Sequence, residues 1–181
     1  SHACGIGERM SVEDTRAMMC VRANSLVKGH SGVKREIIEQ IVTYLNHDII
    51  PVVPRIGSLG ASGDLAPLSH MALTLIGEGE VWGANGPTKT AKILKEKGLI
   101  GVELSAKDGL SLINGTSQMC SFLVNADNVL ENLLTMADLI ACVSLEAREC
   151  SIKPMDERVH SVRPHAGQSL VAKRIISIMS N

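Results

Sequence analysis

One apolar seam limits what this chain can fold into more than any other feature. Met119, Phe122, Ala126, Val129, Leu133, Met136, Ile140, Val143 and Ala147 recur at alternating spacings of three and four. Leu123, Leu130, Leu134 and Leu145 widen the stripe. An unbroken helix of roughly 30 residues is about 45 Å long. That exceeds the width of a domain of 181 residues. Such a helix needs partner helices, from further sequence or from other subunits. Aromatic residues make up only 2% of the chain, so the core must come from Leu, Ile, Val, Ala and Met, as in helical bundles. The fold class expected is all-α, a mainly helical bundle, with short β pieces near residues 80–104.

The preceding segments read as shorter elements. Ser11 with Asp14 makes a capping-box-like start. The helix that follows runs to about Lys28, with Met19, Ala23 and Leu26 on one face and Gly29 as its stop. Ser31-Gly32 opens a second helix with the stripe Ile37, Ile38, Ile41, Val42 and Leu45. Pro51 ends it, and Pro54 keeps the next segment extended. Glu80-Val81-Trp82-Gly83 reads as a strand, Asn85-Gly86-Pro87 as a turn, and Leu99 to Leu104 as a second strand. Thr88 or Thr90 caps a short helix ending at Gly98, and Ser105 to Ile113 gives another turn or two. Beyond the long helix, Arg163-Pro164-His165 reads as a loop and Gln168 to Met179 as a last amphipathic helix. The division expected is residues 1–115, carrying a glycine-rich loop, and 116–181, the start of the long-helix bundle.

Charge excludes several functions. Eighteen basic residues face nineteen acidic ones, which argues against a nucleic-acid or anionic-membrane surface. Five scattered cysteines form no CxxC pair, so a reduced, cytoplasmic setting is expected rather than a disulfide framework or structural zinc. His70 reads as structural, and His160 and His165 are too irregularly placed for a metal site. Cys4 beside His2 has no second ligand pair, so no metal is expected. Neither a signal peptide nor an apolar run of the roughly 18 residues that span a bilayer is read from the sequence. The opening residues, with no initiator Met, suggest a piece of something longer.

The chemistry concentrates in Gly57-Ser58-Leu59-Gly60-Ala61-Ser62-Gly63-Asp64-Leu65-Ala66-Pro67-Leu68. Its glycines permit backbone angles closed to other residues. Asp64 reads as a helix N-cap, with Pro67 in the first turn and Leu65, Leu68, Ala72 and Leu75 at helical spacing. Ala61-Ser62-Gly63 holds the ingredients of a backbone cyclisation. The Gly63 nitrogen can attack the Ala61 carbonyl carbon, and loss of water from Ser62 leaves an exocyclic methylidene. A nucleophile elbow fails because position 64 is Asp, and a phosphate loop fails because no Gly-Lys-Ser/Thr follows.

The full string resembles the prosthetic-group loop of the aromatic amino acid ammonia-lyases, the family of histidine, phenylalanine and tyrosine ammonia-lyases and related aminomutases. Two further segments resemble the same family. Ser1-His2-Ala3-Cys4-Gly5-Ile6-Gly7 is similar to its Ser-His-x-x-Gly-x-Gly segment, and Leu112-Ile113-Asn114-Gly115-Thr116 to its Leu-Asn-Gly-Thr motif. Arg163 to Gln168 also resembles a histidine-type segment. The resemblance implies an L-aspartase-like bundle and a methylidene-imidazolone (MIO) electrophile formed from Ala61, Ser62 and Gly63. It implies that Asn114 touches that group and the substrate, and that Ser1 and His2 bind the substrate side chain. It also implies a small amino acid substrate, no metal or external cofactor, and a homotetramer. The Ser1-His2 pair is the histidine-type spelling, whereas Ser117-Gln118 after Asn-Gly-Thr leans towards the tyrosine type. The function expected is therefore a segment of an enzyme that eliminates ammonia from L-histidine to give urocanate. The alternatives are a tyrosine or phenylalanine ammonia-lyase or aminomutase, or, for this stretch alone, an inactive helical assembly piece. The family's loop tyrosine has no counterpart here, because the one tyrosine, Tyr44, lies among Ile41, Val42 and Leu45 of an amphipathic helix.

Overall fold

The structure is a computed structural model that describes residues 2–60 and 63–180. Its elements run β1 (Ile6–Arg9), α1 (Val12–Leu26), α2 (Arg35–Asn46), β2 (Pro54–Ile56), α3 (Leu65–Leu75), β3 (Glu80–Gly83), β4 (Gly86–Lys89), α4 (Thr90–Glu96), α5 (Asp108–Ile113), α6 (Ser117–Ala147), α7 (Glu157–Ser161) and α8 (Ala166–Met179). The chain divides into two compact units, residues 1–125 and 126–181, so that α6 contributes to both.

In the first unit the helices bury the faces their periodicity predicts. Ser11 caps α1 by accepting from the Asp14 N–H at 2.9 Å, and Met18, Met19 and Leu26 are fully buried. The second helix starts at Arg35 rather than at Ser31-Gly32. The Lys34 N–H is taken by the Asp108 carboxylate at 3.0 Å, and this holds the preceding residues outside the helix. Ile37, Ile41 and Tyr44 enter the core while Val42 stays exposed. Tyr44 donates from its hydroxyl to the Thr74 carbonyl, and burial raises its pKa. It is a core residue tying α2 to α3. Met10, Met18, Met19 and Met71 fill the spaces between these helices, where an unbranched, flexible side chain suits an irregular gap.

The β structure is peripheral. β3 and β4 form the hairpin that begins at the expected strand Glu80–Gly83. Gly86 and Pro87, expected in a turn, already belong to β4. Leu99 to Leu104 is not a strand. Gly101 lies against the backbone of Ile76 and Gly77, and the Val102 N–H donates to the Leu75 carbonyl at 2.9 Å. The segment therefore covers the end of α3 instead of pairing with a neighbouring strand. β1 and β2 form a second, unexpected pair, which sets Gly5 and its neighbours beside the loop that follows Ile56.

The second unit holds the rest of α6 with α7 and α8. Arg174 bonds Asp138 at 2.7 Å, and Cys142, Ala172 and Ile175 are buried. α6 spans 31 residues, about 46 Å at 1.5 Å per residue. Along it Val129, Leu133, Met136, Ile140 and Val143 remain exposed. The expectation that no segment is long and apolar enough to cross a bilayer is corrected. Residues 108–147 meet that description by length and composition, with a mean hydropathy of 1.4 in their most apolar stretch. The reason is a seam apolar on more than one face, which also suits the centre of a helix bundle. Asp127, Glu131 and Asp138 interrupt it, and an acidic residue at a bilayer centre costs about 3 kcal/mol.

Candidate functional site

Two of the motifs singled out in the sequence meet in the first unit. Ala61, Ser62 and Ser1 lie outside the described residues. The residues that bracket the Ala-Ser pair are joined, with the Gly63 N–H donating to the Gly60 carbonyl at 2.8 Å. Gly63 has φ +96°, and a Cβ built on it would lie 2.9 Å from the backbone N and O of Gly115 and 3.3 Å from Asn114 Oδ1. No side chain fits there, and the torsion itself disfavours any residue but glycine. Asn114 Oδ1 therefore lies beside Gly63, in space that a side chain at position 63 would need.

Asp64 locks the contact. Its N–H donates to the Gly115 carbonyl at 2.7 Å. The sequence suggests that Asp64 caps α3, but its side chain makes no cap bond to that helix. It caps α6 instead, accepting from the Gln118 N–H at 2.7 Å and the Met119 N–H at 3.1 Å. These are among the N-terminal donors that a helix cannot satisfy internally, and a carboxylate there also faces the positive end of the helix dipole. Ser58 donates to the other carboxylate oxygen at 2.5 Å. Asp64 is fully buried, so the loop, α3 and α6 share one side chain whose hydrogen bonds lie within the protein.

Arg22 holds the Asn114 side of the junction. It occupies the buried face of α1, in register with Met18, Met19 and Leu26, and only 3% of it is exposed. Its Nη2 donates to the Ser111 carbonyl and to the Asn114 carbonyl at 2.9 Å. These are carbonyls at the C-terminal end of α5, where a cation is favoured. A Cβ on Gly115 would fall on Arg22 Nη1. Desolvation lowers the Arg22 pKa. Burying an ion costs several kcal/mol, and two hydrogen bonds from a charged donor return about 1.5–3 kcal/mol each. Arg22 thus fixes geometry at little net gain in stability. Sequence reading missed it, although an arginine in the apolar register of an amphipathic helix is the signal that finds it.

His2 is exposed and lines a cavity of about 320 Å³ with Ala72, Leu73, Ile76, Leu104, Leu110 and Ile113. The cavity reaches the residue before Asn114. Its chain segment is anchored at Gly5, whose N–H donates to His70 Nε2 at 3.2 Å. Burial lowers the His70 pKa. The ring accepts at Nε2 and so carries its proton on Nδ1, and through this bond it holds the Gly5 backbone. Gln118, buried at the head of α6, donates to Met10 Sδ and to the Arg55 carbonyl, both at 3.3 Å. Among the described residues no cluster of three or more His, Cys, Asp or Glu forms a metal site.

This helical frame matches one class of protein. The aromatic amino acid lyase family model matches residues 1–181, and the chain belongs to that family. It is 45% identical over 181 residues to the histidine ammonia-lyase of Bacillus velezensis, covering 100% of this chain and 35% of that protein. The crystal structure of tyrosine aminomutase from Streptomyces globisporus superposes with a TM-score of 0.93 at 40% identity, over 98% of this chain and 34% of that one. Histidine ammonia-lyase from Trypanosoma cruzi superposes with a TM-score of 0.88 at 35% identity, over 97% and 34%. The chain therefore spans about a third of the length of these relatives, and the all-α fold is theirs.

Proposed function

We propose that this chain is the electrophile-bearing segment of a histidine ammonia-lyase, and that the complete protein converts L-histidine to urocanate and ammonia. The observation that carries the reading is the contact between Gly63 and Asn114, held by Asp64 on one side and Arg22 on the other. The residues fit an MIO group built from Ala61, Ser62 and Gly63. Position 63 has glycine's torsion and no room for a side chain, and its neighbour Asp64 is immobilised by four hydrogen bonds. The group supplies a carbon electrophile, which turns the substrate amine into a better leaving group and splits one hard elimination into easier steps.

The chain's own residues would bind and orient. Asn114 offers a carboxamide beside Gly63, able to hydrogen-bond the substrate amine or carboxylate. The cavity beside His2 takes the substrate side chain, its apolar walls packing on a ring and His2 offering a polar contact. Relatives named histidine ammonia-lyase at 41–46% identity support histidine as the substrate. A tyrosine substrate, with lyase or aminomutase outcome, is the second reading, favoured by Ser117-Gln118 and by the likeness to tyrosine aminomutase. The exposed seam of α6 supports a homotetramer whose subunits cover it. Five free cysteines support a reduced, cytoplasmic setting.

The test is turnover by the complete protein. Urocanate from L-histidine, without coumarate, cinnamate or a β-amino acid from tyrosine or phenylalanine, is the expected result. Products from tyrosine alone would transfer the assignment to the second reading.

A further inference from the structure

We infer that Arg22 is a positioning residue for Asn114. Its guanidinium, laid across the carbonyls of Ser111 and Asn114, fixes the backbone that carries the Asn114 carboxamide against Gly63. The inference rests on the reading of Asn114 given above.

The backbone of Asn114 and Gly115 is restrained at successive points, each by a different element. The Asn114 N–H donates to the Leu110 carbonyl at 3.1 Å, within the last turn of α5. The Asn114 carbonyl accepts from Arg22 of α1. The Gly115 carbonyl accepts from the Asp64 N–H. With the Asn114 carbonyl pinned, the peptide plane between Asn114 and Gly115 cannot rotate without breaking the bond to Arg22. The side chain of Asn114 is itself exposed, so the backbone must supply its orientation. Gly115 completes the arrangement. Its lack of a Cβ is what lets Arg22 Nη1 lie against the backbone.

Among the described residues no carboxylate pairs with Arg22, and the hydrogen bonds it makes go to backbone carbonyls. An arginine kept for stability alone would gain more from a paired acid, or would be replaced by an apolar residue matching Met18, Met19 and Leu26 around it. Both bonds come from one nitrogen, Nη2, whose two N–H groups are fixed in the guanidinium plane, an orientation that a lysine's freely rotating tetrahedral ammonium does not hold.

The experiment compares Arg22→Lys, Arg22→Met, Asn114→Ala and the double variant Arg22→Lys/Asn114→Ala in the complete protein. It reads kcat and KM, the mass of the peptide containing Ala61–Gly63, and amide exchange of the peptide spanning Ser111 to Gln118. Arg22→Lys is expected to keep the mass of the 61–63 peptide as in the parent protein. It should lower kcat by about tenfold or more with KM little changed. It should also raise exchange in the 111–118 peptide and leave α2 and α4 peptides unaltered. In the Asn114→Ala background the same change should cost less than about twofold, because residues acting through one group are not additive. Equal losses in both backgrounds, or exchange confined to α1, would overturn the inference and leave Arg22 a packing residue. If Arg22→Met does not fold, Arg22→Lys decides. Should the parent protein turn over none of the three amino acids, the reading of function fails. The exchange arm still decides whether Arg22 holds the Asn114 backbone.

Discussion

The junction around Gly63 and the seam on the later half of α6 are opposites. At the junction the chain supplies its own partners. Asp64 accepts from three donors, Arg22 holds two carbonyls, and Gly63 and Gly115 carry no side chain to clash. Along the seam Leu130, Leu133 and Leu134 are 53–59% exposed. An apolar stripe of that length in water marks an interface. Most polar groups at the junction are paired within the first unit, with Arg22 Nε the exception, whereas the apolar groups of the seam are left exposed.

The sharpest way to break this contrast is Asp64→Ala. It strands the Ser58 hydroxyl and the N–H groups of Gln118 and Met119, and should cost about 3 kcal/mol, read by urea denaturation. A loss no larger than an ordinary surface change would mean that α6 is not anchored there. Gly115→Ala comes next, at about 2 kcal/mol, because a methyl must displace a buried guanidinium. Asp108→Asn should cost about 1 kcal/mol. Desolvation pushes the Asp108 carboxyl up. Donors from the Ser105 and Lys34 backbones, the Ser105 hydroxyl and the Lys34 ammonium outweigh it and hold the pKa below its usual value. A depressed pKa stabilises the fold above the ordinary carboxylate range, so this contribution should fade as pH drops below about 4 in the parent and be absent in the variant.

His70 gives a milder, local effect. Burial favours its neutral form, so the contribution is present above about pH 6.5 and falls as the ring protonates. Protection of the Gly5 amide, corrected for its intrinsic exchange rate, should fall on acidification, while that of α2 is unaffected. The smallest change belongs to the seam. Leu133→Ser should alter the stability of the subunit by no more than about 0.5 kcal/mol, yet lower the mass of the assembly seen by light scattering. A large loss of subunit stability would mean that the seam is covered from within the same chain.

Periodicity found what was periodic. The burial of Met19, Leu26, Ile37, Ile41 and Leu68, the run of α6 and the cap at Ser11 follow from spacing alone. The segment from Leu99 to Leu104 misled because apolar alternation also suits a chain draped over a helix end. The β1–β2 pair was invisible because four and three residues around glycine and proline carry almost no pattern. In the site, Gly63 and Asn114 were legible as motifs, but their contact was not, since it depends on the junction between α5 and α6. Asp64 stands at the N-cap position of α3, as its sequence predicts, but its side chain serves α6. The local sequence offers α3 first, whereas the donors it satisfies lie far along the chain.

The proposed function depends on Ala61-Ser62-Gly63 becoming an electrophile. Mass spectrometry of the complete, active protein measures this directly, on the peptide containing Ala61, Ser62 and Gly63. A peptide lighter than its sequence by two waters, restored to full mass in an inactive Ser62→Ala variant allowing for that substitution, is the result expected. An unmodified peptide from protein that still releases ammonia from histidine would contradict it.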